Sequence, residues 1–191
     1  MIPYYLTRDK AEGFMNELKS FSNQTRIITA HQDELFLQGD GWRGFSLFNF
    51  TTGDKRKVRG IIVSNSCDIS PENHREIPAK VTFVPLIKLS AIEGILESDK
   101  SLSEQARKNK IASIKNQEST SFFFIPSQGI LEEDFVAWFN DAHSMPTNEF
   151  LAEHNQDRQR IFSLTMVGFY LFLFKLSIHY CRFHEKVDRP L

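Results

Sequence analysis

Residues 37–70 read LQGDGWRGFSLFNFTTGDKRKVRGIIVSNSCDIS, and the division of this segment decides the fold. Phe45–Phe50 and Gly60–Ser64 are short runs of aromatic, aliphatic and β-branched residues, whereas Thr51–Asp54 carries the Gly and Asp of a turn. Between the turn and the second run stand Lys55, Arg56, Lys57 and Arg59, which read as a basic loop. The order is therefore strand, turn, basic loop, buried strand. Similar runs flank it at Arg26–Ala30, Glu34–Leu37, Val81–Leu86 and Ser121–Ile125, with a final strand pair at Phe135–Phe139 and Ala142–Met145. Strands this short at this spacing predict a small barrel or sandwich.

Three segments break the strand pattern. Ala11, Phe14, Met15 and Leu18 recur at i, i+3, i+4 and i+7, which predicts a helix over 7–21 with Thr7 as its N-cap. Residues 89–117 predict a helical insertion, with Ile92, Ile95 and Leu96 on one side. Residues 159–183 predict a long terminal helix, and the uncharged run Ile161–Phe174 within it holds 14 residues. A spanning helix needs about 20 apolar residues, so a buried helix is expected there and a membrane span is not. The expected class is mainly β with flanking helices (α+β), a single domain over 1–191 with its core in 25–88 and 120–146.

Composition narrows the function. The 191 residues carry 23 Lys and Arg against 24 Asp and Glu, a formal net charge of −1, which excludes holding nucleic acid by bulk charge and leaves only local clusters. Cys67 and Cys181 stand far apart, so reduced thiols are expected, and with no secretory signal pattern at the N-terminus the expected location is cytoplasmic. Phe accounts for 18 of the aromatics against four Tyr and two Trp. Because Phe brings apolar area without a polar handle, the skew indicates core packing.

The segment from Gln38 to Leu86 resembles the MazF/PemK family of toxin endoribonucleases. The likeness rests on Gly39-Asp40 before a strand, the basic segment ending at Arg59, the apolar strand Ile61-Ile62-Val63 closing with Ser64 and Asn65, and Val84-Pro85-Leu86 as the next strand. It implies an SH3-like β-barrel, RNA or a protein partner such as an antitoxin as the bound molecule, and a homodimer through the C-terminal helix. Two positions depart from the family. Its Arg-Pro is Arg59-Gly60 here, and its strand-ending Thr is Ile87, with Lys88 and Ser90 as the nearby polar residues. The Arg is implicated in cleavage in that family, and a guanidinium fork suits a developing phosphorane charge. Ile87 has no hydroxyl to hold or activate anything. Ser64, Cys67 and Asp68 also match a Ser-x-x-Cys-Asp signature of uncharacterised bacterial proteins with this strand-turn layout.

Cys67 has two readings. As a nucleophile it needs a cation or helix N-terminus to lower its pKa, and the adjacent Asp68 works against that. As a small buried hydrophobe it needs nothing, and buried is the expectation. His179, Cys181 and His184 lie close in sequence, but 100° per residue on a helix points the first two apart, so no metal site is expected, and no cofactor. Lys55, Arg56, Lys57 and Arg59 form one basic cluster and Arg107, Lys108, Lys110 and Lys115 another. Trp42 offers a base-stacking platform beside the first, or a lid over the core.

These residues lead to a bacterial toxin- or phage-defence-associated protein that binds RNA or a protein partner. Trp42, Lys55, Arg56, Lys57, Arg59 and Lys88 are its candidate RNA contacts. A MazF-like endoribonuclease with Arg59 catalytic is the alternative, and a cysteine-dependent enzyme using Cys67 a third.

Overall fold

Gly53, at φ +78°, closes the hairpin on which the rest of the chain is assembled. The Asn49 side chain accepts from the Thr51 and Thr52 amides, and its backbone carbonyl accepts from the Gly53 amide. The computed structural model describes residues 26–30, 35–49, 51–70, 72–73, 76–152 and 156–180. The helix expected over 7–21 lies outside the described residues.

The strands are β1 (Ile28–Thr29), β2 (Gly41–Phe48), β3 (Lys55–Ile62), β4 (Lys80–Lys88), β5 (Phe122–Ile125), β6 (Phe135–Trp138), β7 (His143–Pro146) and β8 (Gln159–Leu164). They form one antiparallel sheet in the order β1-β8-β2-β3-β4-β6-β5, with β7 also on β4, and the Gly53 turn joins β2 to β3. The helices among the described residues are α1 (Ser66–Ile69), α2 (Leu89–Ser98), α3 (Glu104–Lys115), α4 (Thr147–Leu151) and α5 (Met166–Tyr180). The class is thus α+β, as expected. Among the described residues the sheet is open: β1 and β5 end the path of paired strands and are not bonded to each other.

Three segments differ from expectation. Lys55, Arg56, Lys57 and Arg59 form strand β3, not a loop, because β2 bonds their backbone along its whole length while the side chains stay at the surface. Phe135–Trp138 and His143–Pro146 do not pair with each other; both pair with β4, which is long enough to take β7 on its first half and β6 on its second. The apolar run from Gln159 is two elements. Gln159–Leu164 is a strand between β1 and β2, and the helix starts only at Met166. Thr165 makes the break: its Oγ1 caps the Gly168 amide at 3.2 Å, while its own amide donates to the Ile27 carbonyl. Residues 35–37 of the run expected at 34–37 are not in a strand, and Gln38 is tied to Ser66 and Val63 by side-chain hydrogen bonds.

Burial on both faces of the sheet accounts for the phenylalanines. One face holds Ile61, Val84, Phe123, Phe135, Phe139 and Phe162 under α5, whose Leu171, Phe172 and Leu176 point into it. Across the sheet Trp42, Phe45, Ile62, Phe83 and Phe150 pack with α1 and α4. The insertion covers the same side further along, where Leu89 and Ile114 meet Phe124 and Val136. Phe123 and Phe124 therefore face opposite cores, as alternation along a strand requires. Glycines open space for the rings. A Cβ on Gly41 would lie 2.3 Å from the Phe162 ring, and one on Gly60 would lie 2.8 Å from Phe45 and 2.9 Å from Phe83.

α5 is tethered by an unusual group. Lys175 is 2% exposed, and its Nζ donates to the carbonyls of Gln117 at 2.7 Å and Ser119 at 2.9 Å. Burial pushes its pKa down to about 7. No helix of the described residues is long and apolar enough to cross a membrane.

Candidate nucleic-acid interface

The site begins with a β-bulge. Arg43 pairs with Arg59 and Phe45 with Val58, so Gly44, at φ +95°, is the extra residue. A bulge resets the two-residue alternation. Trp42 and Phe45, three apart, consequently share the core face with Val58, while Arg43 is turned outward next to Arg59. Alternation along β3 brings Lys57 to the same side, and its Nζ donates to the Gly44 carbonyl at 3.2 Å.

On that side lies a groove of about 510 Å³ lined by Arg43, Lys57, Arg59, Asp157, Arg158 and Gln159 among others. Arg158 enters from the segment before β8, where it donates to the Leu151 carbonyl and its guanidinium lies 6.0 Å from the Phe36 ring centre. Arg158 thus lines the groove while its guanidinium turns to the Trp42 side, so among the described residues of the lining the charges of Arg43, Lys57 and Arg59 meet one acid, Asp157, in a chain whose net charge is −1. Gln156 and Gln159 add uncharged amide donors and acceptors. Guanidinium forks, an ammonium and amides are the donor set that phosphate oxygens take.

Arg59 also faces a second group. Its guanidinium sits 5.5 Å over the Phe135 ring, and Nη1 is 3.9 Å from Glu133 Oε1. The same oxygen is 2.9 Å from Lys88 Nζ. One carboxylate is therefore held between two of the cations singled out in the sequence.

The remaining candidates separate from this groove. Lys55 and Arg56 are exposed toward the hairpin end and do not line it. Trp42 is a core lid and not a platform: it is 8% exposed, with Phe36 stacked at 4.8 Å and the Arg160 guanidinium at 4.8 Å from its ring. Arg160 is held by Asp40, at 3.2 Å, so the Gly39-Asp40 dipeptide has a structural part here. Cys67 is exposed, against the expectation of burial, because α1 is a single surface turn whose only buried residue is Ile69. Asn65 caps that turn through the Cys67 amide, and Ser64 Oγ accepts from the Thr82 amide, so polar side chains of this motif serve the backbone. The second basic cluster lies on α3, which covers Phe124 and Val136, the face opposite Phe135 and Arg59; the two clusters do not share a side.

Arg43, Arg158 and Glu133 escaped the sequence reading. Arg43 had a usable signal, since it stands between the apolar Trp42 and Phe45 on a strand. Arg158 and Glu133 come from connections, where no periodicity marks direction. Among the described residues no group of three or more His, Cys, Asp or Glu is placed to hold a metal ion; Cys181 and His184 lie outside the described residues. No protein-family model matches the chain, and no curated protein matches it.

Proposed function

We propose that this protein binds single-stranded RNA in the groove between the β2–β3 ladder and the segment before β8. The observation that carries the reading is the convergence of Arg43, Lys57 and Arg59 on one concave surface of a chain with no net positive charge. A neutral protein that gathers its cations in a groove gains local attraction for phosphates without general stickiness. The buried Trp42 leaves backbone phosphates, not stacked bases, as the main contact.

The MazF/PemK kinship is part of this proposal, in an opened form of that barrel. Its support is the order Gly39-Asp40, β2, turn, β3, Ser64-Asn65, β4, with Pro85 directly opposite Gly60. A role in a bacterial toxin or defence system follows from the resemblance, and a cytoplasmic location is proposed with it. Binding is proposed ahead of cleavage because Ile87 carries no hydroxyl and, opposite Val136, stands on the other face of the sheet from Arg59 and Lys88. The homodimer implied by the resemblance would use the outer side of α5, where Met166, Val167, Tyr170 and Tyr180 are exposed.

Fluorescence anisotropy with a labelled single-stranded RNA tests the reading. The expected affinity falls steeply with salt, and Arg43→Gln with Lys57→Gln lowers the log–log slope by about 0.7 for each phosphate the protein no longer neutralises. Salt-insensitive binding, or none, would move the groove to a protein partner. Release of RNA fragments that stops with Arg59→Ala would instead establish the ribonuclease.

A further inference from the structure

Glu133 is the acidic side chain that closes the far side of Arg59. Its carboxylate oxygen contacts Lys88 at 2.9 Å and lies 3.9 Å from Arg59, the cation that also lines the groove. The loop that carries it is fixed at the next residue. Asp134 accepts from the Ser127 amide through its side chain and from the Leu89 amide through its backbone carbonyl, which ties the loop to two separate segments. Lys88 stands opposite Phe135 in the β4–β6 ladder, and Arg59 lies over that same ring, so the two cations are placed by rigid strands.

We infer that Arg59 and Lys88 form a second phosphate subsite at the end of the groove, and that Glu133 occupies it as a built-in competitor. This rests on the RNA reading above. A carboxylate presents two oxygens to cations much as a phosphodiester does, so the pair is preorganised for a phosphate that has to displace Glu133. The exchange is easy because the three side chains are 36%, 55% and 37% exposed for Arg59, Lys88 and Glu133, and a solvated ion pair of this kind holds only weakly. The groove then favours a strand long enough to reach past Arg59, since only such a strand offers the two cations a phosphate in place of the carboxylate.

The experiment measures RNA affinity and its salt slope for the full chain and its Glu133→Gln, Lys88→Gln and doubly substituted forms, with Glu104→Gln on α3 as a control of equal charge change. Glu133→Gln is expected to tighten binding about three- to tenfold at low salt and to steepen the slope by about 0.7. Lys88→Gln alone is expected to change little, because Glu133 already neutralises it, yet it should erase the gain in the Glu133→Gln background. Glu104→Gln should leave affinity unchanged. If Arg43→Gln weakens binding while Glu133→Gln does nothing, the subsite is wrong and the RNA reading stands. A gain that survives Lys88→Gln, or that Glu104→Gln reproduces, would overturn the subsite as well. Absence of binding in every form would remove both proposals.

Discussion

The Gln117 side chain stands in for a missing strand beside Phe124: its Oε1 accepts from the Phe124 amide at 3.2 Å and its Nε2 donates to the Phe124 carbonyl at 2.6 Å. β5 ends the sheet, and an edge strand exposes unpaired backbone to other chains. Gln117 closes the middle of that edge from a left-handed backbone at φ +59°. Gln117→Ala should cost about 2–4 kcal/mol, because two buried backbone groups lose their partners at once. Equilibrium denaturation reads the loss, and a faster rate of aggregation should accompany it. Wild-type stability in the variant would show that water replaces the amide there.

Lys175 makes stability depend on pH. Its amine titrates at 10.5 ordinarily and at about 7 in the fold. Between those values the unfolded chain holds the extra proton, so stability should rise with pH, by at most about 1.4 kcal/mol per unit. Below that window both states are protonated and this contribution is flat. Burial raises the Tyr180 phenol above its ordinary value of 10.0, so at higher pH the unfolded chain ionises first and stability turns down. Denaturation across the window from about pH 6 to 10 should show the rise in the wild type and its absence in Lys175→Met. An equal slope in both would assign it elsewhere.

Trp42 separates folding from binding. Trp42→Ala should destabilise by about 3–5 kcal/mol, because Phe36, Phe150 and Arg160 all pack on the ring it removes. Trp42→Phe, measured where both proteins are folded, should leave RNA affinity unchanged. A specific loss of affinity there would mean that the ring reaches a base.

Cys67 should react with an alkylating reagent in the native protein, in a Cys181→Ser background, without prior unfolding. Protection until unfolding would contradict its exposure.

The strand order from Phe45 to Leu86 was legible because Gly and Asp punctuation separates the runs, although the basic half of β3 read as a loop, and the insertion was legible because its helical spacing interrupts them. The terminal segment was not. Residues 161–174 are apolar on every side, which suits a strand buried on both faces and a helix alike, and only Thr165 marks where one becomes the other. The groove was half legible. Lys57 and Arg59 were visible as a cluster, but which cations in that cluster share a side depends on alternation along β3, and Arg43 joins them through a bulge at Gly44 that pairing alone reveals.

The rings that lie on Gly41 and Gly60 constrain how this sequence can change over time. With the Phe162 ring 2.3 Å from where a Cβ would stand on Gly41, Gly41→Ala should lower stability markedly by overpacking, while Phe162→Ala alone leaves a void costing about 3–5 kcal/mol. The pair together should recover part of that loss, because the new methyl enters the vacated space. A double-mutant cycle by thermal denaturation measures the coupling, and strictly additive effects would disprove it. Each such phenylalanine therefore fixes the identity of a glycine on a neighbouring strand. A lineage that drifts away from the large ring has to do so before the glycine is released, so the order of substitutions, and not only their number, limits which descendants of this sheet are reachable.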